Sequence, residues 1–262
     1  MRASNRIQLT VCEGLLTHAS GRKPAVRSYR VGVTSAAPPP EPTRLVLIRH
    51  GESRSTVDRI VGGHRGCTGL TDRGVRQAKA LRDRLARTGE LTGAAAVLTS
   101  VLPRAIETAE IIAPSVGGPA VEQRCELCEI HPGEGDGLTW EEFSALYRPE
   151  GLASGNPYKP MAPGGESWAR FFARVGEALL RVAADHAGET VVVVCHGGVV
   201  EGAFATLGGL PMRRPFDVRV ENTSLTVWSY HPVEGDQGNA GHRLARWRLD
   251  RFNDAAHLAG LD

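Results

Sequence analysis

Two His-Gly turns stand far apart in the chain: His50-Gly51 after one apolar run and His196-Gly197-Gly198 after another. Arg49 precedes the first, and Arg104 follows a third run that ends in Thr99-Ser100. An imidazole supplies a nucleophile or a proton carrier near neutral pH. Guanidinium forks match the oxygens of a phosphate. Glycine after each histidine lets the backbone turn sharply and come close to a ligand. Two His and two Arg converging at helix N-termini make a site for a tetrahedral anion, because helix ends add N–H donors and positive potential. A lone histidine at a strand end is usually structural. A lone arginine in a first helical turn is unfavourable with the dipole, which points toward an anionic partner. The joint occurrence of all four residues carries the reading.

The apolar patterning says which elements hold them. LVLI (45–48) is a continuous run, as in a strand buried on both faces. Thr71 is placed to cap a helix in which Val75, Ala78, Leu81 and Leu85 recur at helical spacing and which Gly89 ends. AAVLTS (95–100) reads as a second strand, and a helix over 102–113 follows with Pro103 in its first turn, where the missing N–H costs little. The stretch 144–164 is rich in Gly, Pro and Tyr and reads as an irregular excursion able to cover a site. A long amphipathic helix follows over 166–186, then the strand VVVV (191–194) and a helix beginning near Val199. SLTVWSY (224–230) and HRLARWRLD (242–250) read as later strands, and the segment after Asn253 as a loose end. Alternating strands and helices predict an α/β fold, a three-layer α/β/α sandwich with a mostly parallel central sheet. Such sheets bind ligands at the carboxyl ends of their strands, where His50 and His196 would meet.

The segments LVLIRHGES, LTDRGVRQAKAL, LTSVLPRAIETAE, LCEIHPGEGDGLTWEE, PGGES and VVVVCHGG follow one another over about residues 44–230. In this order they resemble the histidine phosphatase superfamily, also called phosphoglycerate mutase-like. The resemblance implies a domain over 44–252 with an irregular lid-like excursion near 131–164 and a loose tail over 253–262. It implies that His50 is the nucleophile and becomes a phosphohistidine. Arg49, Arg104 and the second catalytic imidazole, His196, match positions that hold the phosphoryl oxygens. Ser53 matches a further phosphate contact. Glu129 matches the acid that protonates the leaving oxygen and then activates water. Such a carboxyl needs its proton at the start, so burial or a neighbouring carboxylate is expected to raise its pKa. Glu126 and Glu134 are weaker candidates for that duty. Thr56 stands where many relatives carry Asn, and Gly135-Asp136 stands where Trp-Glu is usual, which alters the pocket rim. Arg59 and Gly62 fit a looser RxxG pattern, which makes Arg59 a candidate phosphate or substrate contact. Glu166 and Ser167 read as anchors of the long helix, and Asn222 as either a site or a turn residue. His64 and His131 read as incidental.

The function implied is that of a metal-independent phosphomonoesterase acting on a small phosphorylated metabolite and releasing inorganic phosphate, with no cofactor. A phosphoglycerate mutase-type isomerase is the alternative. It needs a clamp for a second anionic group, and 131–163 holds two basic residues, Arg148 and Lys159. A metal hydrolase built on His50, His64, His131 and His196 lacks any HxH or HExxH pattern. A non-catalytic binding module fits poorly with the presence of all four core residues. Trp140, Phe143, Tyr147 and Tyr158 either form an aromatic lid or pack the excursion onto the body.

With 262 residues, 41% apolar and 23% charged, the chain is neither a disordered segment nor a coiled coil. No stretch reaches the roughly 20 apolar residues of a membrane span. The net charge of +2 hides an asymmetry: residues 1–43 carry six Lys/Arg against two acids, and the remainder carries 25 against 27. The body is therefore not a nucleic-acid binder by charge. Residues 1–43 read as a basic, Pro-rich, disordered extension, and the run at 7–16, broken by Glu13, is not read as a secretory signal. Five scattered cysteines do not make a disulfide framework and fit a reducing cytoplasm. Cys125 and Cys128 form a single CxxC, and without a second such pair no metal or redox site is expected. A homodimer is compatible with the sequence, which does not set the oligomeric state.

Overall fold

The apolar runs form the middle of one sheet. The computed structural model describes residues 41–148, 155–212, 216–231 and 246–261. Strands β1 (Thr43–Arg49), β2 (Ala96–Thr99), β3 (Val121–Gln123) and β4 (Thr190–Cys195) lie parallel in the order β3-β2-β4-β1. Beyond β1, β5 (Leu225–His231) pairs antiparallel with it and β6 (Arg246–Asp254) antiparallel with β5. Side chains alternate between faces with period two. Leu45, Leu47, Val191, Val193 and Cys195 pack with residues of α5 (Trp168–Asp185) and α6 (Gly197–Thr206). Val46, Ile48, Val192 and Val194 pack with residues of α2 (Asp72–Thr88) and α3 (Pro103–Ile112). The continuous apolar runs are thus the mark of two cores, one on each side of a shared sheet.

The helix ends follow local chemistry. Thr71 Oγ1 accepts from Gly74 N at 3.0 Å at the start of α2, and Gly89 ends it with φ 64°. Ser167 caps α5 by accepting from Arg170 N at 3.3 Å. Glu166 lies before that cap and takes the guanidinium of Arg174 at 2.7 and 2.8 Å. Both act as helix anchors.

Three expectations change. The excursion over 131–164 is not irregular throughout, because α4 (Trp140–Tyr147) lies inside it. Thr139 and Glu142 start α4 with a reciprocal capping box, and eight residues are too few for apolar periodicity to announce the helix. Phe143 is fully buried there with Val61, Met161 and Ala162, so it packs the excursion onto the body, whereas Tyr158 is exposed. Gly135 lies under the Phe143 ring, where a Cβ would come within 2.3 Å. Residues 149–154 lie outside the described residues.

The C-terminal segment is not loose where it is described. Arg84 donates to both carboxylate oxygens of Asp254 at 2.7 and 3.0 Å, and Asn253 Oδ1 accepts from Glu221 N at 2.7 Å. The Arg84 bond holds the Asp254 carboxyl down to about 2. These anchors are charged rather than apolar, so hydropathy does not reveal them. The extension also ends earlier than position 43, since Thr43 belongs to β1 and its Oγ1 accepts from Gly188 N at 2.9 Å. Residues 1–40 of that extension lie outside the described residues. Among the described residues no helix is long and apolar enough to cross a membrane.

Candidate active site

Strand register brings the histidines together. Arg49 pairs with Cys195 in the β1–β4 ladder, and His50 N donates to Cys195 O at 2.9 Å. The next residue on each strand is a histidine. The two rings lie with centroids 5.1 Å apart at an interplanar angle of 60°. β2 ends beside them: Ser100 N donates to Val194 O at 3.2 Å, and Ser100 Oγ lies 2.8 Å from His196 Nε2. Arg104, in the first turn of α3, places Nε 3.0 Å from His50 Nε2 and donates through Nη1 to Gly62 O at 2.7 Å. Thr108 ties α3 to the turn, accepting from Gly51 N at 3.1 Å and donating to Arg104 O at 2.7 Å. Asn222 Nδ2 donates to His50 O at 2.9 Å, so this residue positions the strand end.

The protonation state of His50 follows from its partners. Nδ1 lies 2.6 Å from Gly51 O, and a carbonyl can only accept. Nδ1 therefore carries the hydrogen, and Nε2 presents its lone pair to Arg104. Burial, then Arg104, then Arg49, push the His50 pKa well below its ordinary value. Burial, then Arg104 and His50, do the same to His196. Burial also lowers Arg49, opposed by the carboxylates of Glu129 and Glu221. Arg49 Nη1 donates to Val220 O. Arg49 Nε and His196 Nδ1 are buried without a protein partner. Buried polar atoms are nearly always satisfied, so these two nitrogens, with the Arg104 guanidinium beside them, fit an oxyanion ligand.

Glu129 reaches the same corner from another segment. Its Oε2 accepts from Gly198 N, in the first turn of α6, at 3.1 Å, and its Oε1 from Ile130 N at 3.1 Å. A Cβ on Gly198 would lie 2.2 Å from Oε1, so the second glycine of the His-Gly-Gly turn makes room for this carboxylate. Its hydrogen-bond partners are backbone N–H groups rather than a neighbouring carboxylate. Glu126 is exposed, and Glu134 accepts from the Tyr147 hydroxyl at 3.4 Å.

Three further candidate phosphate contacts lie on the segment that follows His50. Ser53 is buried, but it caps α1 (Arg54–Val57), with Oγ 2.9 Å from Thr56 Oγ1 and 3.2 Å from Ser55 Oγ. Thr56 is exposed. Arg59 is exposed with φ 55°, and its carbonyl accepts from Trp140 N at 2.8 Å. Among the described residues no hydrogen bond joins Ser53, Thr56 or Arg59 to the imidazole pair. The four histidines of the hydrolase reading form two separate pairs, His64 lying 5.7 Å from His131 between ring centroids. Ser100, Gly198 and the Val220 carbonyl are roles that residue type alone did not reveal. The spacing of Ser100 and Gly198 to Arg104 and His196 is their one sequence signal.

Neutral buried imidazoles cost stability in acid. His257, 2.9 Å from Thr223 Oγ1, is held down to about 4 by burial and Arg84. Below about pH 6.5 the unfolded chain binds protons that folded His50, His196 and His257 refuse. Their contribution is complete above that pH and is lost as pH falls toward the folded values. The melting temperature is expected to drop steadily from about pH 7 to about pH 5, and a flat profile would contradict the buried neutral state.

Residues 45–237 match the histidine phosphatase superfamily (branch 1). The chain is 32% identical over 217 residues to phosphoglycerate mutase-like protein 4 of Arabidopsis thaliana, covering 82% of this chain and 86% of that protein. It is 32% identical over 225 residues to the metal-independent phosphoserine phosphatase of the same plant, covering 84% and 85%. A mycobacterial glucosyl-3-phosphoglycerate phosphatase, solved in complex with VO3, aligns with a TM-score of 0.62 at 28% identity, covering 80% of this chain and 98% of that one. Sheet order, the paired strand-end histidines and a match across most of the chain agree: this protein belongs to the histidine phosphatase superfamily, branch 1.

Proposed function

We propose that the chain is a phosphomonoesterase that hydrolyses a small phosphorylated metabolite through a phosphohistidine at His50. One observation carries this reading: a buried, neutral His50 whose Nδ1 is tied to Gly51 O at 2.6 Å and whose Nε2 faces Arg104 at 3.0 Å. In the first step Nε2 attacks phosphorus, the N–P bond forms and the P–O ester bond breaks. The Glu129 carboxylate takes up a proton as the anionic substrate arrives and gives it to the leaving oxygen. Arg49, Arg104 and His196 hold the non-bridging oxygens, where charge accumulates in a loose transition state. Arg104 gives up its bond to Nε2 as the phosphoryl oxygens arrive. In the second step water passes a proton to the Glu129 carboxylate and attacks phosphorus. The N–P bond breaks, inorganic phosphate leaves, and both residues return to their starting states.

Relatives named as phosphatases of phosphoserine and of glucosyl-3-phosphoglycerate support a small phosphorylated substrate. Free thiols at Cys67 and Cys195 support the cytoplasm as the compartment. The test is phosphate release from a panel of phosphorylated metabolites, with an alkaline quench that preserves phosphohistidine for mapping. Release without a bisphosphate primer and label on His50 are expected. Efficient transfer to monophosphoglycerate with little free phosphate would make the chain a mutase instead. Glu129→Ala is expected to slow alkyl phosphate turnover by about 10²–10⁴-fold while an oxyanion analogue still binds. Unchanged turnover would remove Glu129 from the acid role.

A further inference from the structure

A second cluster of reactive side chains lies outside the imidazole pair. Cys125 opens a tight 3-10 turn (Cys125–Leu127), and Cys128 N donates to Cys125 O at 2.9 Å. The turn sets the two sulfurs 3.7 Å apart. His64 Nε2 and His131 Nε2 each lie 3.9 Å from Cys125 Sγ, and one ligand atom from each of the four residues falls within 4.8 Å of every other. Tetrahedral zinc, about 2.3 Å from sulfur and about 2.0–2.1 Å from nitrogen, requires sulfurs about 3.8 Å apart and sulfur–nitrogen distances of about 3.6 Å. We infer that His64, Cys125, Cys128 and His131 form a structural zinc site that joins two loops of this protein.

The surroundings are those of a built site. His131 turns Nε2 to the sulfur, its Nδ1 lies 3.6 Å from Glu166 Oε2, and the same oxygen accepts from His131 N at 3.0 Å, which holds the ligand segment. Arg174 holds Glu166 and donates through Nη1 to the carbonyls of Glu126 and Cys128 at 2.8 and 3.1 Å, which fixes the cysteine turn. Ser100 Oγ lies 3.5 Å from Cys128 Sγ, so the turn also borders the imidazole pair. The loop bearing His64 is held by Asp136, whose carboxylate accepts from the backbone of Gly63, Arg65 and Gly66 at 2.8–2.9 Å. A mixed sulfur and nitrogen set selects zinc over magnesium or calcium. Zinc binding displaces the two thiol protons to solvent. Four protein ligands leave no open position for water, so the ion supplies no hydrolytic chemistry. The second ligand pair consists of histidines from separate segments, which a search for a second CxxC does not find. Glu129 lies between Cys128 and His131, so the ion would brace the segment that carries it. The site stands whether or not Glu129 is the acid.

The test uses the full chain, purified from zinc-supplemented cells in a non-thiol reductant. Elemental analysis is expected to give one zinc per chain, and cobalt replacement the absorption of a tetrahedral cobalt thiolate. Cys125→Ser and His64→Ala alter exposed residues, so circular dichroism is expected to stay unchanged while zinc affinity falls at least about 100-fold. The inference is overturned if the reduced protein takes up no stoichiometric zinc. It is overturned equally if the double variant binds zinc as the wild type does.

Discussion

His50→Ala is expected to lower turnover by at least about four orders of magnitude while leaving the fold intact. The loss is large because no described neighbour can take over. His196 shares the pocket, but its Nε2 is engaged with Ser100 Oγ at 2.8 Å, and its ring is fixed one strand away. The fold survives because His50 sits beyond the β1–β4 ladder rather than within it, and because its neutral ring adds no stability in acid. Phosphate release measured beside a thermal melt separates the two effects. Turnover within tenfold of wild type would identify another nucleophile.

Arg104→Ala is expected to cost about 10²–10³-fold in turnover, the magnitude seen when one stabilising donor of developing charge is removed. Arg104 bonds His50 Nε2 at 3.0 Å and Gly62 O at 2.7 Å, so the variant loses an anion clamp and a tie to the 61–66 loop together. It also removes the second largest cause that depresses His50. The His50 pKa then rises toward its ordinary value, and the acid limb of the kcat/KM profile moves to higher pH. Arg104→Lys keeps a charge without the fork and is expected to restore the pH limb more fully than the rate. A limb unmoved in Arg104→Ala would show that Arg104 does not touch the nucleophile.

Much of this was legible in the residues because the signals were local. The apolar runs at 45–48 and 191–194, the cap at Thr71 and the stop at Gly89 all act within one turn or one strand. The convergence of His50 with His196 followed from a general property of parallel sheets and is realised through the pairing of Arg49 with Cys195. What escaped depends on partners distant in sequence. Asp254 is anchored by Arg84, 170 residues away, through charge that hydropathy does not register. Ser53 has a second duty that its type and spacing do not announce, because its hydroxyl caps α1. Cys125 and Cys128 read as incomplete because the side chains that gather around them are histidines rather than a second cysteine pair, and one of them, His64, lies 61 residues upstream.

The pairing of Arg49 with Cys195 has a consequence for how the protein fails under stress. Both imidazoles ride on the residues that close the most deeply buried ladder of the sheet. Fraying of an outer strand, or melting of the segment around α4, leaves their spacing untouched. Separating the rings requires tearing β1 from β4, which is the cooperative collapse of the domain itself. The imidazole spacing therefore lasts as long as the domain does, while the segments that carry Glu129 and Gly62 can open locally and silence the chemistry with that spacing intact.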